Sequence, residues 1–193
     1  MSETAHRLRP REALHQRVTA AILDAAARVV AEQGPQASMS DVAAAAGVAR
    51  ATVYRYFPSR EALLADLARS AVAEAAARLA AARIDEIPPE EGIRRAVRAL
   101  LDVGDYFGVL VRERVSPEAA AFDGQVATPL RRLFEGAQRS GAVRRDVPPS
   151  WLSESLVALS AGVLRVAPAL GKEDQIAAIA TLFLDGARAR DEN

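Results

Sequence analysis

The 193-residue chain has no cysteine, which excludes a disulfide framework, a thiolate metal site and a cysteine nucleophile. That absence fits a reducing compartment, and the cytoplasm is the expected location. Histidine is almost as scarce. The two, His6 and His15, both fall in the N-terminal tail, so the core is expected to hold neither a Ser/His/Asp triad nor a histidine-rich metal centre. No Gly-rich phosphate loop is present, and the adjacent Glu90 and Glu91 follow Pro88-Pro89 at a helix start, where acids serve the helix dipole. An enzyme is therefore not expected, nor a cofactor, nor a metal. Long apolar runs are missing too. No stretch approaches the roughly 20 residues of a membrane span, and the arginines of the N-terminus are not followed by the apolar run of a secretory signal.

What remains is ordinary for a soluble globular protein: 50% hydrophobic and 26% charged residues, with a formal net charge of zero. The neutrality hides an asymmetry. Over residues 1–60, eight arginines oppose five carboxylates, a surplus of +3, so the rest of the chain carries −3. The N-terminal third is the place to look for an anionic partner. Lys172 is the only lysine, so arginine carries almost all of the positive charge.

Alanine-rich segments with apolar residues at three- and four-residue steps predict an all-α fold. A first helix is expected over 17–33, burying Val18, Ile22, Ala26, Val29 and Val30 and ended by Gly34-Pro35. Ser38 and Asp41 resemble a capping box opening a short second helix that runs to about Ala46. Gly47 supplies a tight turn, Val48 to Tyr56 forms a third helix that Pro58 stops, and Ser59 starts a fourth. A short helix, a turn and another short helix is the order of a helix-turn-helix, whose second element enters the DNA major groove. On that element Val53 and Phe57, four apart, should face inward, leaving Arg50, Thr52, Tyr54, Arg55 and Tyr56 for other faces. Arginine offers a bidentate fork to guanine or phosphate, and hydroxyls donate to phosphate oxygens.

The run DVAAAAGVARATVYRYFPSREALL, within residues 17–64, resembles the DNA-binding module of the TetR family of bacterial transcriptional regulators. Its offsets Asp41-Val42-Ala43, Ala46-Gly47-Val48, Thr52-Val53-Tyr54, Tyr56-Phe57 and Ser59-Arg60-Glu61-Ala62-Leu63 carry the likeness. The resemblance implies that Arg50, Ala51, Thr52, Tyr54 and Tyr56 line the DNA face, with Ser38, Ser40 and Arg60 completing the contacting set. Two departures stand out: Ala49, where the family often has a hydroxyl that caps the recognition helix, and Arg60, where lysine is commoner.

The expected organisation is a flexible basic arm (1–16), a helix-turn-helix domain (17–60) and a helical domain (61–193), about nine helices in all. The fourth helix carries Leu63, Leu64, Leu67, Ala71 and Leu79 on its apolar side. A fifth (about 89–103), a sixth (about 105–114) and a seventh (about 126–140) should follow. In the eighth, Leu152, Leu156, Leu159, Val163 and Val166 repeat at steps of 4, 3, 4 and 3, a seam for another helix, with Ala158, Ala161 and Gly162 beside it. Ile176, Ile179 and Phe183 mark a stripe on the ninth. Such stripes can also simply close an intramolecular core. The family resemblance assigns the last two helices to a homodimer interface and the middle helices to a small-molecule effector.

Tyr106, Phe107, Arg112, Phe122, Phe134 and Trp151 are the large or polar candidates for an effector pocket, although none forms a motif and each also suits a plain core or surface role. The resulting expectation is a dimeric repressor of a palindromic double-stranded DNA operator, released by a small-molecule inducer. A helical dimeric interaction protein, or a regulator that needs a co-repressor to bind DNA, is the other reading. The arm is expected to be solvated, with a minor-groove or phosphate contact as the alternative.

Overall fold

The computed structural model describes residues 10–104, 106, 109, 113, 118–163 and 170–189. Their regular elements are all helices, with one isolated antiparallel bridge between Val143 and Arg188, as the all-α reading requires. The chain divides into two units, residues 1–67 and 68–193.

In the first unit, α1 spans Pro10–Gln33, α2 Met39–Ala45 and α3 Arg50–Tyr56. Helix α1 starts seven residues before the expected Arg17, so residues 10–16 are its opening turns and not an extended arm. Pro10 suits a first helical position because its missing N–H has no partner to lose there, and Glu12 places an acid in the first turn. Ile22, Ala26, Val29 and Val30 are buried. Gly34, at φ +59°, then ends the helix in a 3-10 turn with Pro35.

Helix α4 spans Arg60–Ala82 and the boundary between the units falls within it. Leu63, Leu64, Leu67, Ala71 and Leu79 are buried as expected. The helix stops six residues short of the Pro88-Pro89 pair, at a turn where Arg83 adopts a left-handed φ of +49° and pairs with Glu86.

In the second unit, α5 (Pro89–Leu101) opens with proline and two acids. A short α6 (Ala119–Phe122) passes through a π-helical segment, Asp123–Ala127, into α7 (Thr128–Arg139), followed by α8 (Pro149–Val163) and α9 (Lys172–Ala187). Gly124 thus sits in a wide helical turn and not in a break. Arg131 binds Asp123 at 2.7 Å across that segment. Ile93 and Val97 of α5, Leu130 and Phe134 of α7, Leu156 of α8, and Ile176 and Phe183 of α9 share one core. The Phe134 and Phe183 rings are 5.5 Å apart and tilted by 43°. The loop after α7 clasps the end of α9, with the Arg144 amide donating to the Ala187 carbonyl at 2.9 Å.

This core absorbs the stripes expected to face a partner chain. Leu152, Leu156, Ile176, Ile179 and Phe183 are buried within the protomer, and Leu159 and Val163 are half-buried against the same core. Val166 lies outside the described residues. The 4-3-4-3 spacing identified a buried helix face correctly, but its cover is α5, α7 and α9 of the same chain. The face left outside on α8 is Trp151, Ser155, Ala158 and Gly162, and on α9 Ala177, Thr181, Leu182 and Asp185.

Candidate nucleic-acid interface

The helix-turn-helix is fixed by caps at both ends of α2. The Asp41 amide donates to Ser38 Oγ at 3.2 Å, while the Ser38 amide and hydroxyl both donate to Asp41 Oδ2, at 2.9 and 2.6 Å. This is a complete capping box. The Ser38 hydroxyl, with its backbone amide adding to the effect, holds the Asp41 carboxyl below its ordinary range. At the far end, the Gly47 amide donates to Ala44 O at 3.2 Å and the Val48 amide to Ala43 O at 3.0 Å, the paired bonds of a Schellman cap. Gly47 has φ +66°, a conformation that glycine adopts without a Cβ penalty.

Helix α3 leaves this turn without a side-chain cap, as Ala49 predicts. The Ala49 carbonyl accepts from the Thr52 amide at 2.8 Å. At the other end, Phe57 precedes Pro58 and is pushed into an extended conformation, φ −130° and ψ 97°. Val53 and Phe57 are buried and anchor the helix, which forces the intervening positions outward. Arg50, Ala51, Tyr54 and Arg55 are exposed, Tyr54 to 39%, and Thr52 and Tyr56 are half-buried. Arg50 Nη2 donates to the Tyr54 hydroxyl at 3.3 Å, and its guanidinium carbon lies 5.3 Å from the Tyr54 ring centroid. The Arg55 guanidinium stands 5.5 Å from the ring of Tyr56.

Ser40 is exposed on the first turn of α2, and Arg60, half-buried, begins α4. The Ser59 hydroxyl caps α4 by accepting from the Ala62 amide at 3.2 Å. Glu61 is held below the usual carboxylate range by its own backbone amide and by Ser59. The acids close to this face are therefore engaged in helix caps, and Arg50 and Arg55 set the charge of the α3 surface.

One residue escaped the sequence reading. His15 belongs to α1 and not to a mobile tail, and its ring stacks on Tyr56 with centroids 4.6 Å apart and planes 22° off parallel. Pro10 followed by Glu12 is the helix-start signal that could have placed it.

Three of the effector candidates, Tyr106, Phe122 and Phe134, belong to or pack against one core, and Trp151 stands apart from it. Phe134 is plain core and Trp151 is 65% exposed. Tyr106 and Phe122 are half-buried against the core, while Phe107 and Arg112 lie outside the described residues. Two surface cavities of the second unit, about 490 and 390 Å³, have other walls: Ile84, Ile87, Leu133 and Arg132 among those of the first, and Arg78, Arg95 and Arg98 among those of the second. No group of three or more His, Cys, Asp or Glu among the described residues could hold a metal ion, and no described helix is long and apolar enough to cross a membrane.

A capped short helix, a glycine turn and a second helix with an outward face of arginine and tyrosine define a helix-turn-helix DNA-binding protein. The comparisons make the class specific. The family described as "Bacterial regulatory proteins, tetR family" matches residues 22–67. The chain is 35% identical over 177 residues to the HTH-type transcriptional repressor LfrR of Mycolicibacterium smegmatis, covering 89% of this chain and 90% of that protein. The crystal structure of LfrR from Mycobacterium smegmatis in complex with proflavine superposes with a TM-score of 0.73 at 32% identity, covering 90% and 99% of the two chains. AibR in complex with isovaleryl coenzyme A and operator DNA shares the fold, with a TM-score of 0.67 at 20% identity over 88% of this chain and 97% of that one. The chain belongs to the TetR family of bacterial transcriptional regulators, and its relatives LfrR and DhaR are HTH-type transcriptional repressors.

Proposed function

We propose that the outward face of α3, with Ser40 and Arg60 at its flanks, reads the operator, and that two copies of the chain bind the two halves of a palindrome. The protein is a ligand-responsive DNA-binding repressor, and the observation that carries the residue assignment is the division of α3 itself. Val53 and Phe57 hold the helix to its unit while Arg50, Ala51, Tyr54 and Arg55 project away.

The chemistry follows from that division. Because the Tyr54 hydroxyl accepts from Arg50, its own proton stays available to a phosphate oxygen, and Arg50 retains further N–H groups for a base edge or phosphate. Ala51 presents a methyl group of the kind that packs on thymine. Thr52 and Tyr56, both half-buried, supply further hydroxyls. Ser38 serves α2 and not DNA, since its hydroxyl proton is committed to Asp41.

Dimerisation through the outer faces of α8 and α9 accounts for their exposed side chains. Trp151, Ser155, Ala158 and Gly162 repeat at steps of 4, 3 and 4 along α8, small residues beside one large anchor, and Leu182 stands 68% exposed on α9. A two-fold pair places its recognition helices in half-sites about 34 Å apart or a multiple of that. An effector in the second unit, against Tyr106 and Phe122, would release DNA by favouring a pair whose spacing no longer matches the groove, a coupling of about 1 to 3 kcal/mol.

The test is selection of duplexes from a random library by the purified protein at about 0.1 to 0.15 M salt, where phosphate-only binding is partly screened, with Thr52→Ala/Tyr54→Phe alongside. An enriched inverted repeat that the double variant binds more weakly supports the assignment. Equal enrichment by both proteins would remove α3 from the reading. Proflavine, seen with the LfrR relative, is the first effector probe for release of the selected duplex.

A further inference from the structure

Tyr56 closes a seven-residue helix, and Phe57 has already left the helical conformation. No later turn of α3 can therefore pack on its ring. Its ring is met by Arg55, its chain neighbour, and by His15, forty-one residues earlier on α1. At 4.6 Å and 22° the His15 contact is a stack, within the range in which aromatic pairs stabilise beyond their area. His15 itself is exposed but held by a formed helix, whose Thr19 hydroxyl donates to the His15 carbonyl at 3.0 Å.

We propose that His15 is a positioning residue for operator binding: its imidazole fixes the Tyr56 ring at the end of the recognition helix, so that the Tyr56 hydroxyl meets the DNA backbone already oriented. This rests on the assignment of the α3 face to DNA. Helix α1 then contributes to DNA affinity through Tyr56, by reducing the side-chain freedom lost when the phenol is immobilised on a phosphate.

The experiment measures equilibrium binding of full-length His15→Ala, His15→Phe, Tyr56→Ala and His15→Ala/Tyr56→Ala to the inverted-repeat duplex selected by the wild-type protein, each with a thermal unfolding curve confirming a folded sample. Tyr56→Ala weakens binding. His15→Ala weakens it about threefold to tenfold, the range that an aromatic pair allows, with an unchanged salt dependence. His15→Phe, which keeps a stacking ring, stays within about twofold of wild type, and the double variant binds like Tyr56→Ala alone. Loss on Tyr56→Ala with no loss on His15→Ala overturns the role of His15 and leaves the DNA face standing. Equal losses in His15→Ala and His15→Phe, or a reduced salt slope in both, overturn it in favour of a direct imidazole contact. Unchanged binding by Tyr56→Ala removes Tyr56 from the DNA face, and the proposal with it.

Discussion

Ser38 and Asp41 exchange three hydrogen bonds across the first turn of α2, and their combined effect is testable because each bond needs a particular protonation state or hydroxyl. Ser38→Ala removes the acceptor for the Asp41 amide and the hydroxyl donor to its carboxylate, and should lower stability by about 1 kcal/mol, the usual loss for an N-cap serine. Urea unfolding of the two proteins at neutral pH measures it. The contribution is also acid-labile. Asp41 has its carboxyl held below the ordinary value of 3.8 by the Ser38 hydroxyl and amide, so the folded state favours the ionised form. The stabilisation is fully present above pH 3.8 and fades as pH falls below that value through the lower folded one. The stability gap between wild type and Ser38→Ala should narrow over that acid window, and a gap independent of pH there would mean that Asp41 contributes nothing through its charge.

At the scale of the element, α3 and α5 are limited by opposite features. Ala49 occupies the α3 N-cap in an extended conformation, φ −66° and ψ 144°, with no side-chain bond. Ala49→Ser supplies the missing acceptor and should stabilise the protein by about 0.5 to 1 kcal/mol, read as a raised urea midpoint with unchanged slope. Gly92 lies in the first turns of α5 against the preceding loop and α7. A Cβ there would stand 2.6 Å from the Ile84 carbonyl oxygen and 2.8 Å from Leu133 Cδ1. Although alanine is the better helix former, Gly92→Ala should therefore destabilise by about 1 to 3 kcal/mol, the cost of overpacking. A stabilised Gly92→Ala protein would show that the α5 contact yields freely.

The same two kinds of feature explain what could be read in advance. Caps, glycine turns and proline stops are local, so α2, the Gly47 turn, the uncapped start of α3 and its Val53-Phe57 anchor were all legible in the order of residues. The seam on α8 was legible only as a buried face. Periodicity shows which positions leave water but not which helix covers them, and the same spacing serves a partner chain or the protomer's own α5 and α7. His15 departs from the expected tail because Pro10 begins a helix. Its stack on Tyr56 joins residues forty-one positions apart, which no local pattern encodes.

For the whole molecule, the apolar residues left outside the protomer core are the informative ones. Trp151 is 65% exposed and Leu182 68% exposed, on two helices whose opposite faces pack on the core. Trp151 is the single tryptophan of the chain, so its fluorescence reports on one place alone. If α8 and α9 pair with a second copy, Trp151 should emit at shorter wavelength in the assembled protein and shift to the red on dilution, together with a fall in sedimenting mass. Leu182→Arg puts a charge where a symmetric pair would bury it and leaves the protomer core untouched. It should give a monomer at micromolar concentration with red-shifted Trp151 emission and an undiminished helical circular dichroism signal. Operator affinity should then drop by about 10²- to 10⁴-fold, because the second half-site is no longer bound at the effective concentration that a linked partner provides. A Leu182→Arg protein that keeps the wild-type mass and emission would place the partner interface on another face of the second unit.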